Sequence, residues 1–276
     1  MKLFTYQDEH LSVVYSLTKN PDALSQKIHV HNDYELYCFV SGDARYMIEG
    51  REVSLRYGTV LLMRPGELHT SILDSDKPYE RYVLNFTADA LPEELRESLL
   101  SPFRDRPLGE LNCYRGEDFP RVTPLELLSS FCSDSETVKL RMRTMLPALL
   151  MLLQTAAPHR ERLSDTRSEG AQMVDFVNAR LCDPVTVSMV TEEFHMSVSQ
   201  VSRIFKAATG TTVGQYCLTK RLLKARRRIA AGMTAQQAAQ ECGFGCYSSF
   251  FRLYKKRFGT VPSSERNDER IGELRE

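Results

Sequence analysis

Between Leu3 and about Phe86, short apolar runs rich in β-formers alternate with turn residues. The runs are Leu11–Leu17, Tyr34–Val40, Ala44–Ile48, Glu52–Leu55, Thr59–Met63 and Tyr79–Phe86. Ser41-Gly42-Asp43, Glu49-Gly50-Arg51, Tyr57-Gly58 and Pro65-Gly66 punctuate them. Runs of that length with Gly and Pro between them predict short antiparallel strands forming a small β-barrel over about residues 1–86.

After Thr87 the pattern turns helical. Pro92 suits a helix start, with Leu95, Leu99 and Leu100 on one side, and residues 101–123, rich in Pro and Gly, read mostly as loop. A long helix is expected from about Ser135 to Ala157, where Val138, Met142, Met145, Leu149, Leu152 and Ala156 follow steps of four and three, and Pro147 should kink or split it. That stripe either packs on the barrel or forms the seam of a homodimer. Leu140, Leu146, Leu150 and Leu153 make a second apolar face, more than one small barrel easily covers, which favours the seam.

Residues 158–170 are polar and read as a linker. Beyond them one plan occurs twice. Val187, Val190 and Phe194 face a first helix, His195-Met196 turn, Ser197 caps, and Val201, Ile204 and Phe205 anchor a second helix. Then Ala235, Ala238, Ala239 and Cys242 make a helix, Gly243 the turn, Phe244 the corner, and Phe250, Leu253 and Tyr254 the anchor of the next. Each is a helix-turn-helix candidate. They are joined by a basic helix, about Val213–Ala231, whose ~19 residues span ~28 Å. That length suits two reading helices near the ~34 Å repeat of the major groove.

Charge sharpens this division. The 276 residues carry 36 basic and 36 acidic side chains. Yet residues 171–260 hold 13 basic against 5 acidic, net +8, a footprint suited to phosphate. No secretory signal or apolar run of membrane-spanning length is evident, so a cytoplasmic protein without membrane contact is expected. Seven Cys without paired spacings read as reduced, buried small hydrophobes.

Residues 172–266 resemble the AraC/XylS family of transcription regulators. The resemblance rests on Phe205-Lys206 then Thr209-Gly210, Tyr216 before Arg221-Leu222 and Ala225, and Ala238-Ala239 before Gly243-Phe244. Ser249-Phe250-Phe251-Arg252, Phe258-Gly259, Pro262 and Arg266 complete it. It implies a seven-helix DNA-binding domain with two helix-turn-helix units. Base reading then falls to Ser199, Ser202 and Arg203 in the first unit and to Tyr247, Ser248, Ser249 and Arg252 in the second. The two arginines are the strongest because they bond guanine bidentately. Lys206, Lys220, Arg221, Lys255 and Lys256 are phosphate candidates, with Arg221 alternatively a structural residue of the connecting helix.

In the N-terminal part, His29-Val30-His31-Asn32-Asp33-Tyr34-Glu35, six residues, then Gly42 is similar to the first metal motif of the cupin barrels, His-x-His-x-x-x-Glu-x6-Gly. Pro65-Gly66-Glu67-Leu68-His69 resembles the second, one residue short between Pro and His and without its terminal Asn. His29, His31, Glu35 and His69 would supply three nitrogens and an oxygen, a set suited to Zn, Mn, Fe or Ni. The same residues, with Tyr37 or Tyr46 for stacking, could instead line an effector pocket, and no cofactor is then required.

The expected fold is α+β with two domains. Residues 1–157 form a cupin-like effector-binding and dimerisation domain, with helices over about 124–157 and Val138, Met142, Met145, Leu149 and Leu152 as the seam. After the linker come the double helix-turn-helix domain, 171–266, and a polar tail, 267–276. By that resemblance the expected function is a transcription regulator binding double-stranded DNA, controlled by a sugar or related metabolite. The resemblance adds activation and RNA polymerase as a partner. The competing reading is a metal-dependent cupin enzyme, a dioxygenase or isomerase, fused to a DNA-binding domain.

Overall fold

One strand sets the plan of the N-terminal unit. β3 (Tyr34–Ser41) is buried on both faces from Tyr34 to Phe39, so it lies between two layers. Tyr37 and Phe39 enter one apolar core while Leu36 and Cys38 enter another. The other strands are β1 (Lys2–Gln7), β2 (Leu11–Thr18), β4 (Ala44–Ile48), β5 (Arg51–Ser54), β6 (Val60–Met63), β7 (His69–Leu73), β8 (Tyr79–Phe86) and β9 (Cys113–Tyr114). The helices of this unit are α1 (Arg96–Arg104), α2 (Pro124–Phe131) and α3 (Val138–Gln154).

The computed structural model describes residues 1–19, 28–133, 136–156 and 168–264, and the chain divides into two units, Met1–Arg167 and Ser168–Glu276. The start of the expected long helix at Ser135, most of the linker, Arg266 and the tail 267–276 lie outside the described residues.

The strands do not close into the expected barrel. They form a six-stranded antiparallel sheet, β1-β2-β8-β3-β6-β9, and a separate three-stranded one, β5-β4-β7. Between the sheets lie Tyr37, Phe39, Leu61, Met63 and Tyr79 from the larger and Tyr46, Ile48, Val53 and Leu73 from the smaller. On the other face of the larger sheet, Leu36, Cys38, Val60, Leu62, Leu84 and Phe86 meet the three helices. Because that sheet is apolar on both sides, it is covered by a sheet on one and by helices on the other.

This arrangement corrects the reading of α3. Met142, Met145 and Leu149 are fully buried within the unit, and so are Leu146, Leu150 and Leu153. Val138 and Leu152 pack against the same core half-buried. The stripe expected to form a dimer seam is therefore core, because α1, α2 and the larger sheet together give apolar surface to both faces. Leu140 alone of the second face stays out, at 65% exposure. α3 also continues through Pro147 as a single element. Leu95 is exposed, whereas Leu99 and Leu100 of α1 are buried, and α1 runs through Pro102 into the stretch read as loop.

The C-terminal unit contains six α-helices among the described residues, where seven were implied: α4 (Glu169–Ala179), α5 (Val187–Phe194), α6 (Val198–Thr209), α7 (Val213–Ala230), α8 (Ala235–Glu241) and α9 (Tyr247–Phe258). α4 starts inside the stretch read as linker, with Ser168 as its N-cap. Thr186, Ser197, Thr212 and Thr234 cap α5 to α8 by accepting a backbone N–H three residues on, and Gly210 and Gly259 end α6 and α9 in the left-handed region. These helix starts and ends thus fall where local chemistry satisfies free backbone groups. Among the described residues no helix is long and apolar enough to cross a membrane.

Candidate functional site

The two turn-rich motifs of the N-terminal unit meet in space. His69 opens β7, and its backbone bridges His29 in both directions, N to O at 3.1 Å each way. Glu35, second in β3, points toward the smaller sheet with Tyr37. Its Oε2 lies 2.9 Å from His31 Nε2 and 3.4 Å from His69 Nε2, and Tyr46 Oη donates to its Oε1 at 3.3 Å. One ligand atom from each of His29, His31, Glu35 and His69 falls within 4.8 Å of the others.

Burial differs across this cluster. Glu35 and His69 are buried, His31 is half-buried and His29 is exposed, so the cluster opens toward solvent on the His29 side. Burial by itself would raise the Glu35 carboxyl, but the His31 and His69 imidazoles hold it well below the usual carboxylate range. Burial would lower His31, and Glu35 beside it raises it instead. The Nδ1 atoms of both rings face carbonyl oxygens, Asp33 O at 3.1 Å and Glu67 O at 2.8 Å. Since a carbonyl only accepts, each Nδ1 carries the hydrogen and each Nε2 is turned to Glu35.

The aromatic candidates separate. Tyr46 reaches the cluster through Glu35, whereas Tyr37 is a core residue, its hydroxyl 2.7 Å from that of Tyr79. Behind the cluster lies a group that the sequence reading passed over. Arg106 donates to both Glu67 oxygens, at 2.8 and 2.6 Å, and Gly109 N and Arg64 N donate to the same carboxylate at 2.9 Å each. This buried pair fixes the loop whose carbonyl orients His69. Arg106 sits 39 residues from Glu67 in a stretch read as loop, so nothing local in the sequence marks it.

The C-terminal candidates stand on two helices built alike. Val201, Phe205 and Thr209 bury one side of α6, and Phe250 and Tyr254 bury one side of α9. The opposite sides expose Ser199, Ser202, Arg203 and Lys206 on α6, and Tyr247, Ser248, Arg252, Lys255 and Lys256 on α9, with Ser249 half-buried. The two helices correspond position by position: Ser199 to Ser248, Arg203 to Arg252, Lys206 to Lys255 and Gly210 to Gly259. The first residues, Val198 and Tyr247, are both exposed apolar side chains, at 59% and 42%. Val198 was absent from the candidates. Its signal is an apolar residue at a helix start, off the buried face, where it suits a thymine methyl group.

Two phosphate candidates are corrected. Lys220 is 7% exposed, with its Nζ 5.5 Å over the Tyr216 ring, so its charge is spent inside the unit. Arg221 donates to the carbonyls of Leu181 at 2.6 Å, Gly243 at 3.4 Å and Asp183. It joins the α4–α5 loop to the α8–α9 turn, the structural alternative already raised for it. Gly243 completes that junction, since at φ +80° a Cβ would lie 2.2 Å from the Cys182 carbonyl oxygen.

Residues 11–164 match the family model of the AraC-like ligand binding domain, and residues 190–268 match a helix-turn-helix domain. The HTH-type transcriptional activator RhaS of Escherichia coli is 23% identical over 258 residues, covering 85% of each chain. The uncharacterized HTH-type transcriptional regulator YfiF of Bacillus subtilis is 22% identical over 247 residues, 85% of this chain and 77% of that one. The regulator ArgR of Pseudomonas aeruginosa is 29% identical over 116 residues, with this chain spanning 35% of its length. Among solved structures, ToxT from Vibrio cholerae aligns over 93% of this chain at 13% identity and a TM-score of 0.36.

Proposed function

The chain belongs to the AraC family of transcription regulators, and from that membership we propose that it reads promoter DNA with α6 and α9 under the control of a small molecule held by its N-terminal unit. The observation that carries this reading is the matched outward faces of α6 and α9. Arg203 and Arg252 occupy the same helix position, each exposed and each opposite a buried aromatic-lined face. Two arginines so placed suit bidentate bonds to guanine in successive major-groove segments. Lys206, Lys255 and Lys256 beside them suit phosphates.

Control by an effector requires that it bind two arrangements of the protein unequally. The N-terminal unit supplies a polar cluster open to solvent at His29, suited to a ligand bearing hydroxyl or carboxylate groups, a sugar among them. We assign activation, following RhaS, and with it contact with RNA polymerase and action in the cytoplasm beside the chromosome. Pairing of two copies belongs to the same reading, made elsewhere than through the buried stripe of α3. Binding without turnover is the role assigned to the N-terminal unit, in keeping with relatives named as transcription regulators.

The test is selection of a preferred duplex from random DNA, followed by titration of variants. Arg203→Ala should weaken the preferred site by roughly 1–3 kcal/mol and relax one base preference, whereas Lys206→Ala should weaken all sequences alike. An Arg203→Ala variant that loses affinity equally on every duplex removes α6 as a base reader.

A further inference from the structure

We propose that His29, His31, Glu35 and His69 bind one divalent first-row transition-metal ion, which leaves a coordination position open on the His29 side for an oxygen donor of the effector. The proposal rests on reading the N-terminal unit as the effector-binding one, but metal uptake itself is measured without DNA.

The donors are spaced for an ion. Metal–nitrogen bonds of ~2.0–2.1 Å put neighbouring ligands ~2.9 Å apart in an octahedral site and ~3.4 Å apart in a tetrahedral one. The two Nε2 to Oε2 separations here are 2.9 and 3.4 Å. The full set falls within 4.8 Å, so the widest pair closes by at most about 1.4 Å to reach the ~3.4 Å of a tetrahedral site.

The outer partners are those of a metal site. Metal-binding imidazoles characteristically donate the remote N–H to a backbone carbonyl, which fixes the tautomer and aims the bare nitrogen. Both His31 and His69 do so, to Asp33 O and Glu67 O. The Glu67 loop is itself held by the buried Arg106 pair. The ring of His69 is therefore set before anything binds, and its orientation does not depend on Glu35.

Among the described residues His69 Nε2 is buried without a hydrogen-bond partner, although Glu35 Oε2 lies 3.4 Å away. His31 Nε2 meets Glu35 Oε2 at hydrogen-bond distance, 2.9 Å, whereas His69 Nε2 is aimed at the same oxygen from further off. A divalent ion at the centre accepts lone pairs from all of them at once and neutralises the buried carboxylate. His29, exposed, closes the set from the solvent side and marks the entry path that a metal site requires. Three imidazoles and one carboxylate select Zn, Ni, Fe or Mn over Mg and Ca.

The experiment uses the full untagged chain, stripped with chelator and dialysed, titrated calorimetrically with Zn²⁺, Ni²⁺ and Mn²⁺ and, without oxygen, Fe²⁺. Co²⁺ is added as a spectroscopic stand-in. The expected result is one ion per chain at micromolar affinity or tighter, with intense visible absorption from bound Co²⁺. His69→Ala should weaken uptake by at least about 100-fold. Glu35→Gln, nearly isosteric, guards against a fold lost to the larger change and should weaken uptake while circular dichroism stays the same. No uptake in the wild-type chain, or uptake unchanged in Glu35→Gln and His31→Ala, overturns the site. DNA affinity of the stripped chain is measured separately, so failure to bind metal and failure to bind DNA are distinct outcomes.

Discussion

Cys246 stands at the N-cap of α9, exposed, while Cys38, Cys113, Cys217 and Cys242 are buried. The backbone N–H groups of Ser249 and Ser248 lower its thiol, whereas burial raises those four. The thiolate is the reactive form, so iodoacetamide followed by peptide mapping should modify Cys246 ahead of the buried cysteines. Saturating specific DNA should slow that reaction by an order of magnitude or so, because the first turn of a reading helix faces the groove. Equal rates with and without DNA would remove the start of α9 from the interface. The sequence grouped all seven thiols as buried hydrophobes, since nothing local distinguishes a cysteine at a helix start from one inside a core. Lys206 and Lys220 make the same point: both lie on helices, and only packing leaves one exposed and puts the other over the Tyr216 ring.

At the level of elements, α3 is the instructive case. Its alternation of four and three steps marked a helix with an apolar face, and that face exists. What covers it is the unit's own core, where α1 and α2 pack beside it over the larger sheet. Leu149→Ala should therefore lower stability by roughly 2–5 kcal/mol, the usual range for a buried leucine, with the sedimentation of the folded variant unchanged. A folded variant that shifts toward a smaller species would restore the seam. The second helix-turn-helix is held differently, through backbone approach. Gly243→Ala should cost at least about 1–2 kcal/mol from the left-handed conformation alone, and the contact with the Cys182 carbonyl adds to it. Chemical unfolding of the variant, together with weakened DNA binding, checks this; a change of a few tenths of a kcal/mol would mean the turn relaxes freely. Here the sequence was informative, because a glycine between two short amphipathic helices is a local turn signal. The reason no Cβ fits, a loop sixty residues earlier, was not.

Across the whole molecule, acid should act on the N-terminal unit through Glu67. Burial would raise this carboxyl, but Arg106 opposite it and the N–H groups of Gly109 and Arg64 lower it from its ordinary 4.5. The stability it contributes is complete above the unfolded value and is lost as pH falls through the folded one. Urea unfolding followed from about pH 6 down to about pH 3 should show the loss beginning below about 4.5, and Glu67→Gln should flatten it. An unaltered profile would mean other carboxylates carry the acid sensitivity. The double helix-turn-helix, its Ser197 cap and its basic balance followed from the sequence alone, because caps, apolar periods and turn glycines act within a few residues of one another. Six strands of the N-terminal unit were likewise legible, and so were His29, His31, Glu35 and His69 as a set. The tertiary structure alone decided that two sheets stack with helices behind them rather than closing into a barrel, that α3 faces inward, and that Arg106 steadies the loop orienting His69. Those outcomes depend on which apolar surfaces find one another across long stretches of chain, and burial is a property of the assembled molecule that no local pattern contains.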